Sequence, residues 1–171
     1  YNVPEGWYST DPNDPYKRLN ELRMLIDEIH HAGMRVTMDV VYNHVYDNKT
    51  FPFDKLVPGY YFRYDERGML TNVSGCGNDV ASEKRMAHKF ILDSVRYWVR
   101  NFNLDGFRFD LMGLLDVDTM NEALMIMKNA DPNGIVYGEG WNMPSNIPED
   151  ERANMNNYLL MPNIGFFNDK F

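Results

Sequence analysis

Gly106-Phe107-Arg108-Phe109-Asp110, then a helical stretch, then Ile135-Val136-Tyr137-Gly138-Glu139: this succession decides the fold. Both named stretches are short and apolar, and both end on a carboxylate. Between them, Thr119 and Glu122 suggest a capping box for a helix that runs to about Ala130 and stops at Asp131-Pro132-Asn133-Gly134. The same order recurs upstream. Asp14 and Pro15 open a helix whose Leu19, Leu22, Leu25, Ile26 and Ile29 share one face, with Gly33 just past its end. The β-branched run 35–42 then reads as a buried parallel strand. Ser82 is read as the cap of another helix, with Met86, Phe90, Ile91, Val95, Trp98, Val99 and Phe102 on a wide apolar face. Near the end, Asn163-Ile164-Gly165-Phe166-Phe167 can begin a fourth strand.

Helix followed by strand, repeated, requires parallel strands joined by right-handed crossovers. A doubly wound sheet and a (β/α)8 barrel both satisfy that order. The interval from Asp110 to Glu139 is close to the roughly 31 residues per unit of a 250-residue barrel. The interval from Asp39 to Asp110 exceeds such a unit by about 40 residues. Residues 43–82 account for the excess: they mix aromatics, Gly and Pro without a sustained period and read as an ordered loop insertion after the first strand. No Gly-rich phosphate loop follows any strand, which counts against a nucleotide-binding sheet.

The net charge of −8 argues against a nucleic-acid or anionic-membrane surface and suits a neutral ligand. No apolar run approaches the roughly 20 residues that span a bilayer. A single cysteine, Cys76, excludes an internal disulfide and leaves the compartment open, cytoplasmic or secreted. Neither end carries a start or a polar tail, so the chain is expected to be cut from a longer one.

Asp39, Asp110 and Glu139 each end a strand or lie close to its end. An acid there is costly unless paired or hydrogen-bonded. Parallel strands bring such ends to one face, where two carboxylates suit nucleophile and general-acid work on a glycosidic bond. Each can also be a satisfied core acid, with Asp39 simply paired to Arg108.

The stretch Asp39-Val40-Val41-Tyr42-Asn43-His44 resembles the first conserved region of the α-amylase family of glycoside hydrolases. Gly106-Phe107-Arg108-Phe109-Asp110 resembles its second, and Gly138-Glu139-Gly140-Trp141 its third. Tyr1-Asn2-Val3-Pro4-Glu5-Gly6, the run from Gly77 to Glu83, and Leu111-Met112-Gly113 are similar to the type I pullulanase branch. The resemblance implies an α/β fold, a partial (β/α)8 TIM barrel covering about strands 3 to 6, with residues 1–171 a fragment of one catalytic domain. It implies retaining hydrolysis of α-1,6 branches in an α-glucan such as pullulan, starch or glycogen. Asp110 is then the nucleophile and Glu139 the acid and base. His44, Arg108 and Trp141 are substrate contacts, and Asp39 and Asn43 are structural neighbours of the site. No cofactor is required. Calcium near Asn43 occurs in some members, and nothing in this sequence indicates it.

Two alternatives stay within reach: isoamylase-like or branching activity on the same barrel, and a non-catalytic α-glucan-binding module. The resemblance also implies a third acid beyond residue 171, so the chain alone is expected to be inactive. It is further expected to self-associate through open sheet edges, with Val40, Phe107, Phe109 and Val136 left without partners.

Overall fold

A computed structural model describes residues 1–169. Helix α1 (Pro15–His31) leads to strand β1 (Thr37–Val40), and a short helix α2 (Pro52–Leu56) lies in the long connection that follows. Helix α3 (Arg85–Phe102), strand β2 (Gly106–Phe109), helix α4 (Val117–Ala130), strand β3 (Ile135–Gly138) and a two-residue strand β4 (Gly165–Phe166) complete the order. The strands form one parallel sheet in the order β1-β2-β3-β4. Asp39, Arg108 and Tyr137 stand opposite one another in register, so the ends at Asp39, Asp110 and Glu139 share one edge of the sheet.

Alternation along β2 sets the two faces of the sheet. Phe107 and Phe109 are fully buried and point toward the helices, together with Val40 and Val136. Burying each phenylalanine is worth about 1.5–3 kcal/mol. The expectation that these four residues lack partners is therefore wrong in its choice of face. They pack in one core with Ile91, Val95, Met120 and Met127. The other face carries Asp39, Arg108 and Tyr137 and is the more open one, the Asp39 side chain being 63% exposed.

Local signals explain most of the boundaries. Asp14 caps α1 by accepting from the Tyr16 and Lys17 amides, with Pro15 at the first helical position. Gly33 takes φ +77° just past the end of that helix. Leu25, expected on the apolar face, is exposed, and so is Met86 of α3. Ser82 does not cap α3. That helix begins three residues later with Lys84 as an N-cap whose side chain makes no capping bond, and the Ser82 hydroxyl accepts from the Asp116 amide and from Arg63. The capping box at Thr119 and Glu122 is also displaced. Asp116 is the cap of α4, receiving the Thr119 amide at 2.8 Å and its hydroxyl at 2.7 Å, while Glu122 faces His88.

Residues 43–82 form an ordered excursion stitched by short antiparallel bridges, Phe62 with Val80 and Tyr64 with Leu70. Phe51, Phe53, Tyr61 and Phe90 pack ring to ring beneath it. Asn78 ties its two ends together by accepting the Val45 amide and donating to the Val45 carbonyl. Asp79 is buried beside it. Burial opposes its charge, and donors from Thr71, Ser74 and Val73 outweigh that and hold its carboxyl below the ordinary value.

At the opposite end of the sheet, Asp105 ties three elements together. It accepts from the Val36 amide at 2.6 Å, lies 2.8 Å from His30 Nε2, and faces Arg35. Partial desolvation opposes its charge, and the Val36 and His30 hydrogen bonds with the Arg35 charge overcome it, so its carboxyl sits below the ordinary aspartate value. A depressed folded-state value contributes stability that is present above about pH 4 and lost as pH falls through the folded value. Acid denaturation followed by circular dichroism is expected to show a shallower acid limb in Asp105→Asn than in the parent. Equal steepness in both contradicts this role.

Candidate active site

One guanidinium organises the carboxylate end of the sheet. Arg108 Nη1 donates to Asp39 Oδ1 at 2.8 Å and to Asp110 Oδ1 at 2.9 Å, and Nη2 donates to Glu139 Oε1 at 2.5 Å. Phe167 lies against the guanidinium, with its ring centre 5.6 Å from Cζ. Partial desolvation works against the arginine's charge, but the bonds to Asp39 and Asp110 and the charges of Asp39 and Glu139 exceed that effect and raise its pKa. The planar fork suits this task, since its N–H groups point in fixed directions and reach three acids at once. Arg108, expected as a substrate contact, thus has both Nη atoms turned to the protein's own carboxylates. The simple pairing of Asp39 with Arg108 is present, as one arm of a larger cluster.

Asp110 receives a second donor. The buried Asn43 donates from Nδ2 to the Asp110 carbonyl at 2.8 Å and to Oδ2 at 3.0 Å. Asn43 Oδ1 lies 2.6 Å from His44 Nδ1, a contact made when Nδ1 carries the proton. In the neutral ring that leaves Nε2 as an acceptor. The His44 carbonyl accepts the Tyr1 hydroxyl at 2.5 Å, which ties this turn to residue 1. Desolvation, followed by the neighbouring Tyr42, pushes the Tyr1 phenol well above its ordinary pKa and keeps it a donor.

Glu139 is held at both oxygens, since Oε2 accepts the Leu111 amide at 3.1 Å. Its own carbonyl accepts the Gly113 amide at 3.0 Å. A Cβ at Gly113 would lie 2.0 Å from the Trp141 carbonyl oxygen, so only glycine permits this approach of the two loops. Trp141 is half-buried on the same rim. An open cleft of about 1110 Å³ runs along the outer edge of β1 and is lined by Asp39, His44, Tyr1 and Tyr46, but by neither Asp110 nor Glu139.

The structure therefore brings Asp39, Asn43, His44, Arg108, Asp110, Glu139 and Trp141 to one end of one sheet. The residues not anticipated are Leu111, whose contribution is a backbone amide, together with Tyr1 and Phe167. No side-chain chemistry marks the first of these. Among the described residues, no group of three or more His, Cys, Asp or Glu is arranged to hold a metal ion. The Asn43 oxygen is engaged by His44. No described helix is long and apolar enough to cross a membrane.

No family model matches the chain. The pullulanase of Bacillus subtilis is 50% identical over 169 residues, which is 99% of this chain and 24% of that protein. The crystal structure of Paenibacillus barengoltzii pullulanase with maltohexaose and α-cyclodextrin superposes with a TM-score of 0.96 at 50% identity, over 99% of this chain and 26% of that one. The type I pullulanase of Bacillus subtilis, solved with maltose, gives 0.94 at 47% identity over 98% of this chain and 24% of that one. An α/β sheet with clustered carboxylates at its strand ends, matched throughout to these glycoside hydrolases, defines the class. The chain belongs to the type I pullulanase family. It spans about a quarter of the length of these relatives.

The shared arginine is directly testable. Lysine offers a single point of charge and cannot span three acids. In a full-length enzyme containing this chain, Arg108→Lys is expected to lower kcat/KM by roughly 100-fold through misplacement of both carboxylates. The fall in Tm should be larger at pH 7 than at pH 4, where carboxylates begin to take protons. Parental activity in this variant contradicts the shared role.

Proposed function

We propose that this chain forms the centre of an α-1,6-glucan debranching hydrolase of retaining type, acting on branch bonds in pullulan, starch or glycogen-type glucans. The observation that carries the proposal is the bridge from Asp110 through Arg108 to Glu139. Two carboxyl groups fixed on neighbouring strands are the equipment a retaining glycosidase needs, at a separation of roughly 5–5.5 Å.

Asp110 acts as nucleophile. Arg108 and Asn43 both donate to its carboxylate and fix its direction. The oxygen attacks the anomeric carbon of the branch sugar, and the glycosidic bond breaks. Glu139 gives its proton to the departing oxygen and later takes one from the water that opens the glucosyl ester. His44 is assigned to sugar hydroxyls through Nε2 and Trp141 to stacking on a sugar face. Asp39 and Asn43 hold Arg108 and Asp110 in place. Arg108 acts on substrate through the carboxylates it orients.

The four strands are assigned to about strands 3 to 6 of a (β/α)8 barrel, with 1–171 one stretch of its catalytic domain and 43–82 a loop over the site. The interval from Asp110 to Glu139, close to the roughly 31 residues of a barrel unit, supports this, as does placement of all the site residues at the C-terminal ends of the strands. On its own the chain is proposed to lack debranching activity and to associate through the outer edges of β1 and β4.

The test uses the full-length enzyme on pullulan. Glu139→Gln is expected to lower kcat by roughly 100- to 10,000-fold, Asp110→Asn to abolish turnover, and the first product seen by proton NMR to carry the α anomer. A β anomer overturns retention. Activity on glycogen branches with none on pullulan would favour the isoamylase-like alternative.

A further inference from the structure

We infer that Leu111 is a positioning residue, whose left-handed backbone holds the acid/base carboxylate of Glu139 through a peptide N–H; this rests on the role proposed above for Glu139. Leu111 adopts φ 40° and ψ 48°. Among the described residues, the other non-glycine positions of positive φ are Asn103 and Asn163, a residue type that tolerates this region, whereas leucine does not. The conformation follows immediately on Asp110 and turns the chain out of β2. Its consequence is local and specific: the Leu111 amide meets Glu139 Oε2 at 3.1 Å.

The surroundings enforce the turn. The Leu111 carbonyl accepts the Leu114 amide at 2.9 Å, opening a short 3-10 turn over Met112–Leu114. Met112, Leu114 and Leu115 are fully buried and anchor that turn in the core. Gly113 donates its amide to the Glu139 carbonyl at 3.0 Å. Leu111 and Gly113 thus grip Glu139 at side chain and main chain from a single turn, and uncommon backbone geometry at such a place is a recurrent feature of functional sites.

Arg108 is divided among three acids, whereas the Leu111 amide serves Glu139 alone. Aspartate 110 changes charge when it becomes an ester, which alters the demands on Arg108. The amide does not change. It therefore keeps the plane of the Glu139 carboxyl constant between its acid and base steps.

The test exploits the difference between backbone and side chain. In the full-length enzyme, Leu111→Val introduces a β-branched residue that resists positive φ, while Leu111→Asn and Leu111→Gly accept it. Leu111→Val is expected to lower kcat on pullulan by up to roughly 100-fold with little change in KM. Leu111→Val should retain more of its turnover on an activated α-glucosyl fluoride than on pullulan. Leu111→Asn and Leu111→Gly should recover most of the loss. If Leu111→Val preserves activity while Leu111→Asn and Leu111→Gly lose it, the leucine side chain matters and the inference is overturned. Glu139→Gln is measured beside them on pullulan and on an α-glucosyl fluoride, whose leaving group needs no proton. Loss on pullulan with turnover of the fluoride supports the acid role. Full activity of Glu139→Gln on pullulan overturns that role itself. Loss in Glu139→Gln with parental kcat in Leu111→Val overturns only the positioning claim.

Discussion

The rest of this structure depends on one guanidinium set between three carboxylates. Two like charges about 5 Å apart at an effective dielectric near 20 repel by about 3 kcal/mol. Asp39, Asp110 and Glu139 would meet that opposition at the end of any sheet that aligned them. Arg108 converts the repulsion into a cross-strand tie, reaching an acid on either side and one on its own strand. The register of β1, β2 and β3 is what makes this possible, because Asp39 and Arg108 are direct partners across the first pair. Packing on the other face maintains that register through Phe107, Phe109, Val40 and Val136. The geometry of the carboxylate cluster and the core packing are therefore two faces of the same four-residue strands.

Much of the fold was legible because the signals were strong and local. Apolar runs bounded by turns located β1, β2 and β3, and Asp14 with Pro15 located the start of α1. Errors arose where tertiary contacts overrode local patterns. Ser82 looks like a cap in sequence, but its hydroxyl serves the Asp116 amide across the domain. Thr119 looks like a cap as well, yet the buried Asp116 three residues earlier takes its amide. The mistaken face for Phe107 and Phe109 has a different cause. Strand residues read as apolar say that they are buried, and only the position of the helices says against what.

The candidate site was legible to the extent that it consists of ionisable side chains. Asp39, Asp110, Glu139 and Arg108 announce themselves by standing in apolar strands, where charge is costly. Asn43 and His44 came from the resemblance, and their linkage to Asp110 became visible only with coordinates. The Leu111 contribution could not have been read from composition. A left-handed leucine costs roughly 1–2 kcal/mol and leaves no trace in residue type. A glycine at that position would have signalled it, whereas leucine conceals it.

The central proposal is that Asp110 is the nucleophile beside Glu139. The most direct measurement is capture of the covalent glucosyl enzyme. A full-length enzyme containing this chain is quenched during turnover of a slow, activated α-glucoside and digested, and the labelled peptide is sequenced by mass spectrometry. The account predicts one glucosyl unit esterified to Asp110, lost in Asp110→Asn and accumulating in Glu139→Gln. A label on another carboxylate, or turnover with no covalent species and inversion at the anomeric carbon, would contradict it.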